Sequence, residues 1–209
     1  MSRRLLASLA LAAMALSACA SQPQSVHAGR TMGATFDDTS IQLALNRDMQ
    51  RGLPGFIRGI GTEVREGRVL IVGTVETPTQ RLEASKIAWQ IRGVRDVVNE
   101  LTVEKPQGFL SYASDARISN QMRVRLLTAN SVKTSNYDIE TVNGTVYILG
   151  IARTKQELEH VAYLAATIAG VKRVVSHALL ADDPRRMGRP RHASTTTYEP
   201  TIYEPVTYQ

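Results

Sequence analysis

A single cysteine, Cys19, stands in 209 residues, so the chain holds no intramolecular disulfide. Four histidines, His27, His160, His177 and His192, are scattered without the paired spacing of a structural zinc site. No Gly-x-Ser-x-Gly, His-Glu-x-x-His or glycine-rich phosphate loop is present, and Gly55, Gly59 and Gly61 read as loop residues. The residues supply no nucleophile with its base and orienting group, so no catalytic residue, metal or cofactor is expected. Lys and Arg number 25 against 19 Asp and Glu, an excess of +6 interspersed along the chain. Such mixing disfavours a nucleic-acid partner, which needs massed basic tracts.

The one long hydrophobic run is at the start. Arg3-Arg4 is followed by Leu5 to Leu16, apolar except for Ser8, and then by Ser17-Ala18-Cys19-Ala20. Twelve residues rise only about 18 Å as a helix, too short for a membrane span, so 1–18 reads as a signal peptide. Leu16-Ser17-Ala18-Cys19 resembles the bacterial lipobox, and the only cysteine falls on its lipidated position. That resemblance implies acyl chains at Cys19, and by the same rule Ala20 in place of aspartate favours the outer membrane. Residues 19–37, rich in Ser, Gln, Gly and Thr, read as a tether. Residues 183–209 join an Arg-rich stretch to Tyr198-Glu-Pro-Thr-Ile-Tyr203-Glu-Pro-Val-Thr-Tyr208 and are expected to be disordered.

Between these ends lies a duplication. Residues 41–104 laid on 118–181 at an offset of 77 give 13 identities in 64 columns, where chance gives roughly four. The shared positions include Glu63/Glu140, Gly67/Gly144, Gly73/Gly150, Thr77/Thr154, Gly93/Gly170 and Val98/Val175. Glu66-Gly67 and Asn143-Gly144 between β-rich runs predict two hairpins with positive φ at both turn positions. The runs that follow, 68–73 and 145–150, are nearly continuous in apolar residues, as for central strands with one face covered by helix. Thr77-Pro-Thr-Gln80 and Thr154-Lys-Gln-Glu157 read as capping boxes, with Gly93 and Gly170 at the C′ position of the helices. Ala84, Ile87, Ala88 and Ile91, with Val161, Leu164, Ala165 and Ile168, mark the packed faces. Earlier helices at about 39–51 and 115–129 complete α-β-β-α-β twice.

The pattern Gly67-x-Val69-x-Ile71-x-Gly73 to Thr77, then Gly93-Val94-x-x-Val97-Val98, repeated at 144–154 and 170–175, resembles the BON domain. Behind a lipobox, the doubled pattern resembles a dual BON-domain outer-membrane lipoprotein. The resemblance implies an α+β fold of two tandem BON modules, 38–104 and 115–182, each with a three-stranded mixed sheet packed against two helices. It also implies a non-enzymatic periplasmic protein that contacts an anionic phospholipid membrane surface and supports membrane integrity. An adaptor that binds an envelope protein or peptidoglycan through its BON faces or tail is the alternative.

Charge separates the two modules. Residues 37–105 carry ten basic and ten acidic side chains, whereas 115–181 carry eight and five. The second module therefore faces the anion. On its first helix Ile118, Met122 and Leu126 mark the core face, which turns Val124 and Leu127 outward between Arg117 and Arg123. These four are the lipid-contact candidates. The first module has Arg47 and Gln50 at the positions of Val124 and Leu127 and is expected to lack the patch.

Overall fold

The computed structural model describes residues 32–53, 59–105, 108–187 and 201–203. The first module runs α1 (Met32–Gly52), β1 (Ile60–Arg65), β2 (Arg68–Val75), α2 (Pro78–Gln90) and β3 (Asp96–Val103). The second runs α3 (Phe109–Thr128), β4 (Tyr137–Val142), β5 (Thr145–Ala152), α4 (Lys155–Ala166), β6 (Arg173–Ser176) and β7 (Leu179–Leu180). Each hairpin is antiparallel, and the strand after the crossover helix joins parallel to the central strand, in the orders β1-β2-β3 and β4-β5-β6; the first sheet has the three strands expected, whereas the second has five, because β7 pairs with the end of β5 and a strand from the tail pairs with β6.

Both predicted hairpins close through two-residue loops with φ of 50° and 71° at Glu66-Gly67 and 56° and 77° at Asn143-Gly144. A Cβ on Gly67 would stand 2.6 Å from the Gly93 carbonyl oxygen, so glycine is required by contact as well as by φ. What holds each turn is an aspartate that the repeat pattern does not single out. The amides of Glu66 and Gly67 donate to the two carboxylate oxygens of Asp38 at 2.9 and 2.8 Å. Those of Asn143 and Gly144 donate to Asp115 at 2.8 and 2.9 Å. Asp38 and Asp115 are buried and occupy the same repeat position. Each turn is thereby tied to the first helix of its own module.

Four local expectations are corrected. The Thr77 box is closed in both directions by Gln80, but Glu157 leaves the Thr154 amide and bonds to Arg153, Tyr137 and Lys133 instead. Gly93 and Gly170 lie past the C-caps Ile91 and Thr167, with φ of 94° and 95° in the turn to the last strand. Helix α1 begins inside the stretch read as tether 19–37, and α3 begins at Phe109, ahead of 115. A helical turn lying beyond the packed segment leaves no periodicity to mark it. The tail expected to be disordered over 183–209 forms a 3-10 turn at Pro184–Met187 and a strand β8 (Thr201–Tyr203) antiparallel to β6.

The larger difference concerns the central strands. All eight residues of β2 and all eight of β5 are buried. Residues such as Val69, Ile71, Val146 and Ile148 pack under the helices. The alternate residues Leu70, Val72, Tyr147 and Leu149 meet with Val175 in a third cluster, flanked by Val98 and Val142. The two sheets thus pack face to face, with a helix pair outside each. Residues at equivalent repeat positions meet across this seam: Leu70 with Tyr147, Val72 with Leu149 and Val98 with Val175 share the cluster, and His177 Nε2 lies 3.0 Å from Glu100. This is the self-complementary pattern of a twofold contact, realised within one chain.

Replacing Asp115 with alanine orphans two turn amides, each worth roughly 1–3 kcal/mol when buried without an acceptor. Urea unfolding of Asp115→Ala is expected to show that loss, and an unchanged midpoint would contradict the turn clamp.

Candidate membrane-contact face

Helix α3 packs on its sheet through Ile118, Met122 and Leu126, all buried. A residue 100° farther round falls beside this face and one 180° round falls opposite it, which places Val124 and Leu127 outward. They are 59% and 72% exposed, and Leu110, in the first turn of the helix, is 83% exposed. Ser119 is turned inward, where its hydroxyl donates to Thr141 Oγ1 at 2.8 Å.

The flanking arginines are exposed and anchored by oxygens that carry no formal charge. Arg117 donates to the Ala169 carbonyl at 2.8 Å and to Gln121. Arg123 donates to the Ile139 carbonyl at 2.9 Å and to Asn120. Arg125, between α3 and α4, donates to Leu164 O and Thr167 Oγ1. These bonds orient the guanidinium groups without neutralising them. In the first module, by contrast, Arg47 is paired with Asp48 at 2.7 Å.

The structure thus brings Arg117, Arg123, Val124 and Leu127 to one outward surface, as the helical spacing predicts. It also presents apolar residues that the sequence pattern does not mark as exposed. Leu43 is exposed on α1, and Leu82 and Trp89 are exposed on α2, so the first module is not purely polar outside. Tyr163 is exposed on α4. The seven-residue spacing of Leu82 and Trp89 is a signal, but both flank a packed stripe and read as its margin. Cys19 and residues 1–18, read above as a signal peptide, lie outside the described residues.

Behind the α3 face, at the edge of the seam, sits a cluster of ionisable groups. Arg65 is buried and donates to Asp138 at 2.6 Å and to the Ser135 carbonyl at 3.0 Å. Glu63 and Glu140, equivalent in the repeat, lie close enough for each carboxyl to shift the titration of the other. Burial pushes the Glu63 carboxyl up to about 8, with Asp138 and Glu140 adding to the rise and Arg123 opposing it. Burial raises Glu140 as well. On the far side of the module a cavity of about 480 Å³ opens at the start of α4 between Ser131, Arg153, Glu157 and His160. Its carboxylate is spent on Arg153 and Tyr137.

A carboxyl that holds its proton to about pH 8 when folded, and to the ordinary value near 4.5 when unfolded, binds more protons in the folded state between those limits. Stability therefore falls as pH rises through that window and levels off above it. Glu63→Gln is expected to flatten the decline and to raise stability at pH 8 by on the order of 2 kcal/mol. Thermal unfolding at pH 5 and pH 8 checks it, and a decline as steep as in the parent would contradict the raised Glu63 carboxyl.

The same two-module pattern appears in known proteins. Residues 37–105 and 114–181 each match the BON domain. An uncharacterized protein in gshII 5'region of Anaplasma centrale is 39% identical over 145 residues, 69% of this chain and 95% of that protein. Outer membrane lipoprotein DolP of Haemophilus influenzae is 29% identical over 150 residues, 70% of this chain and 76% of DolP. The 21 kDa hemolysin of Actinobacillus pleuropneumoniae is 26% identical over 148 residues, 70% of this chain and 75% of the hemolysin. The chain belongs to the BON-domain family and carries two BON domains in tandem, in the manner of the DolP type.

Proposed function

We propose that this protein is lipid-anchored at Cys19 on the periplasmic face of the outer membrane, where its second BON domain binds anionic phospholipid and supports membrane integrity. The observation that carries the reading is the outward surface of α3. Val124 and Leu127 stand exposed between Arg117 and Arg123, whose anchoring bonds go to uncharged oxygens. An apolar tip between cations suits the boundary of headgroup and acyl chain. Each basic residue at an anionic surface contributes about 1 kcal/mol, and burying a valine or leucine side chain adds about 1.5–3 kcal/mol.

Two further facts support it. A relative over 70% of the chain is named an outer membrane lipoprotein. Among the described residues no helix is long and apolar enough to cross a membrane, and in this reading attachment comes from the acyl chains on Cys19 with the α3 face as a second contact. One acyl chain alone gives marginal binding, so two signals together are what stable attachment needs.

Flotation with vesicles tests the face. Val124→Ser with Leu127→Gln removes apolar contact without touching a structural bond, and is expected to weaken binding to anionic vesicles roughly a hundredfold or more while leaving the melting temperature unchanged. Arg117→Gln with Arg123→Gln should weaken it further and flatten its salt dependence, because screening acts on the electrostatic part alone. Undiminished binding in both variants would place the lipid contact elsewhere.

Fractionation tests the anchor. Cys19→Ser is expected to move the cleaved protein into the soluble periplasmic fraction, and a processed protein that stays wholly in the membrane would contradict lipidation at Cys19.

A further inference from the structure

The two modules close the outer edge of their last strand by different means. In the first, side chains do it. Asn99 of β3 donates from its amide nitrogen to the Arg81 carbonyl at 2.8 Å and to Ser85 Oγ at 2.7 Å, while Arg81 reaches back to the Asn99 carbonyl at 3.3 Å. This bridge spans from α2 to the strand edge, where it occupies the Asn99 carbonyl, and the Asn99 side chain also accepts from the Leu101 amide. In the second module the equivalent positions are Ser176, Leu158 and Ala162. The Ser176 hydroxyl accepts from the Ala178 amide, and leucine and alanine have no polar group to offer. The bridge cannot form, and the slot between α4 and β6 is open to main chain.

A strand fills it. Thr201, Ile202 and Tyr203 pair antiparallel with Ser176, Val175 and Val174. Tyr203 packs against the second module's core, and β8 also lies against α4. Proline bounds the segment on both sides at 200 and 205, and because proline lacks an amide hydrogen it limits how far a strand can pair. The same short pattern, two residues and a tyrosine, stands three times in the tail and ends at Tyr198, Tyr203 and Tyr208.

We propose that the slot between α4 and the edge of β6 is a strand-acceptor site for an extended segment ending in tyrosine, and that the chain's own tail is its built-in occupant, acting as a displaceable strap. Main-chain pairing to β6 supplies affinity and the tyrosine pocket under α4 supplies selectivity, as in strand addition to other sheet edges. Attached to the same molecule, the tail competes at an effective concentration of roughly millimolar, so it keeps the edge covered against weaker segments and against pairing between copies. A segment of the same chemistry that binds more tightly displaces it.

The test uses the detergent-purified full chain and a variant carrying Tyr198→Ala, Tyr203→Ala and Tyr208→Ala. The probe is a fluorescein-labelled peptide of residues 194–209, followed by anisotropy, together with hydrogen exchange by mass spectrometry over 173–177. The variant is expected to exchange at least tenfold faster over 173–177 and to bind the peptide at least tenfold more tightly than the parent, with β2 and β5 protected equally in both. Parental protection in the variant, or a variant that does not bind the peptide, overturns the proposal. Protection in the parent that falls on dilution makes the occupant the tail of a second copy and overturns the assignment to the same chain.

Discussion

The burial of both faces of β2 and β5 constrains everything else. Each central strand carries one apolar row for its own helices and a second for the opposite sheet. A single module would leave Leu70 and Val72, or Tyr147 and Leu149, facing water, a contiguous apolar patch of the kind that soluble domains bury. The duplication answers this need, because two copies of one sheet face can meet about a twofold axis. Polar groups at the margins of the seam then set its register: Arg65 with Asp138, Arg68 with the His177 carbonyl, and Arg186 with Glu66 at 2.7 and 3.0 Å. The last of these ties the segment after the second module back onto the first hairpin.

With the sheets facing one another, the helices are the outer surfaces, and in the proposed function contact with a membrane falls to them. The two modules then diverge where the fold allows it. Asp38 and Asp115 perform the same task in both. On the outward faces of α1 and α3, where packing imposes nothing, one carries an arginine paired with its neighbouring aspartate. The other carries arginines bonded to uncharged oxygens around valine and leucine. Arg123 belongs to both regions. Its guanidinium borders the α3 face and its charge reaches the Glu63–Glu140 pair in the seam.

Much of this is legible in the amino-acid sequence. Asn143-Gly144 dictates its turn because both positions need positive φ, and the spacing of Ile118, Met122 and Leu126 determines which way Val124 and Leu127 point. Other features carry no local signal. A run such as Val69 to Val72 shows that a strand is buried but not what covers its second face, so the seam is invisible in the residues themselves. Asp115 carries no mark in the sequence of the turn it holds, and only the folded hairpin supplies the two amides from which it accepts. A three-residue strand such as Thr201–Tyr203 has no periodicity of its own, and it lies along β6 beside Ser176, which stands at the position of Asn99 in the first module.

In the proposed function, α3 of the second module is the surface that meets anionic lipid. Titrating the labelled protein with anionic micelles and following backbone amide shifts measures this most directly. Shifts along the outward positions of α3 from 113 to 127, with α1 and α2 unmoved, are the predicted result. Shifts confined to α2 around Leu82 and Trp89, or to the slot between α4 and β6, would contradict it.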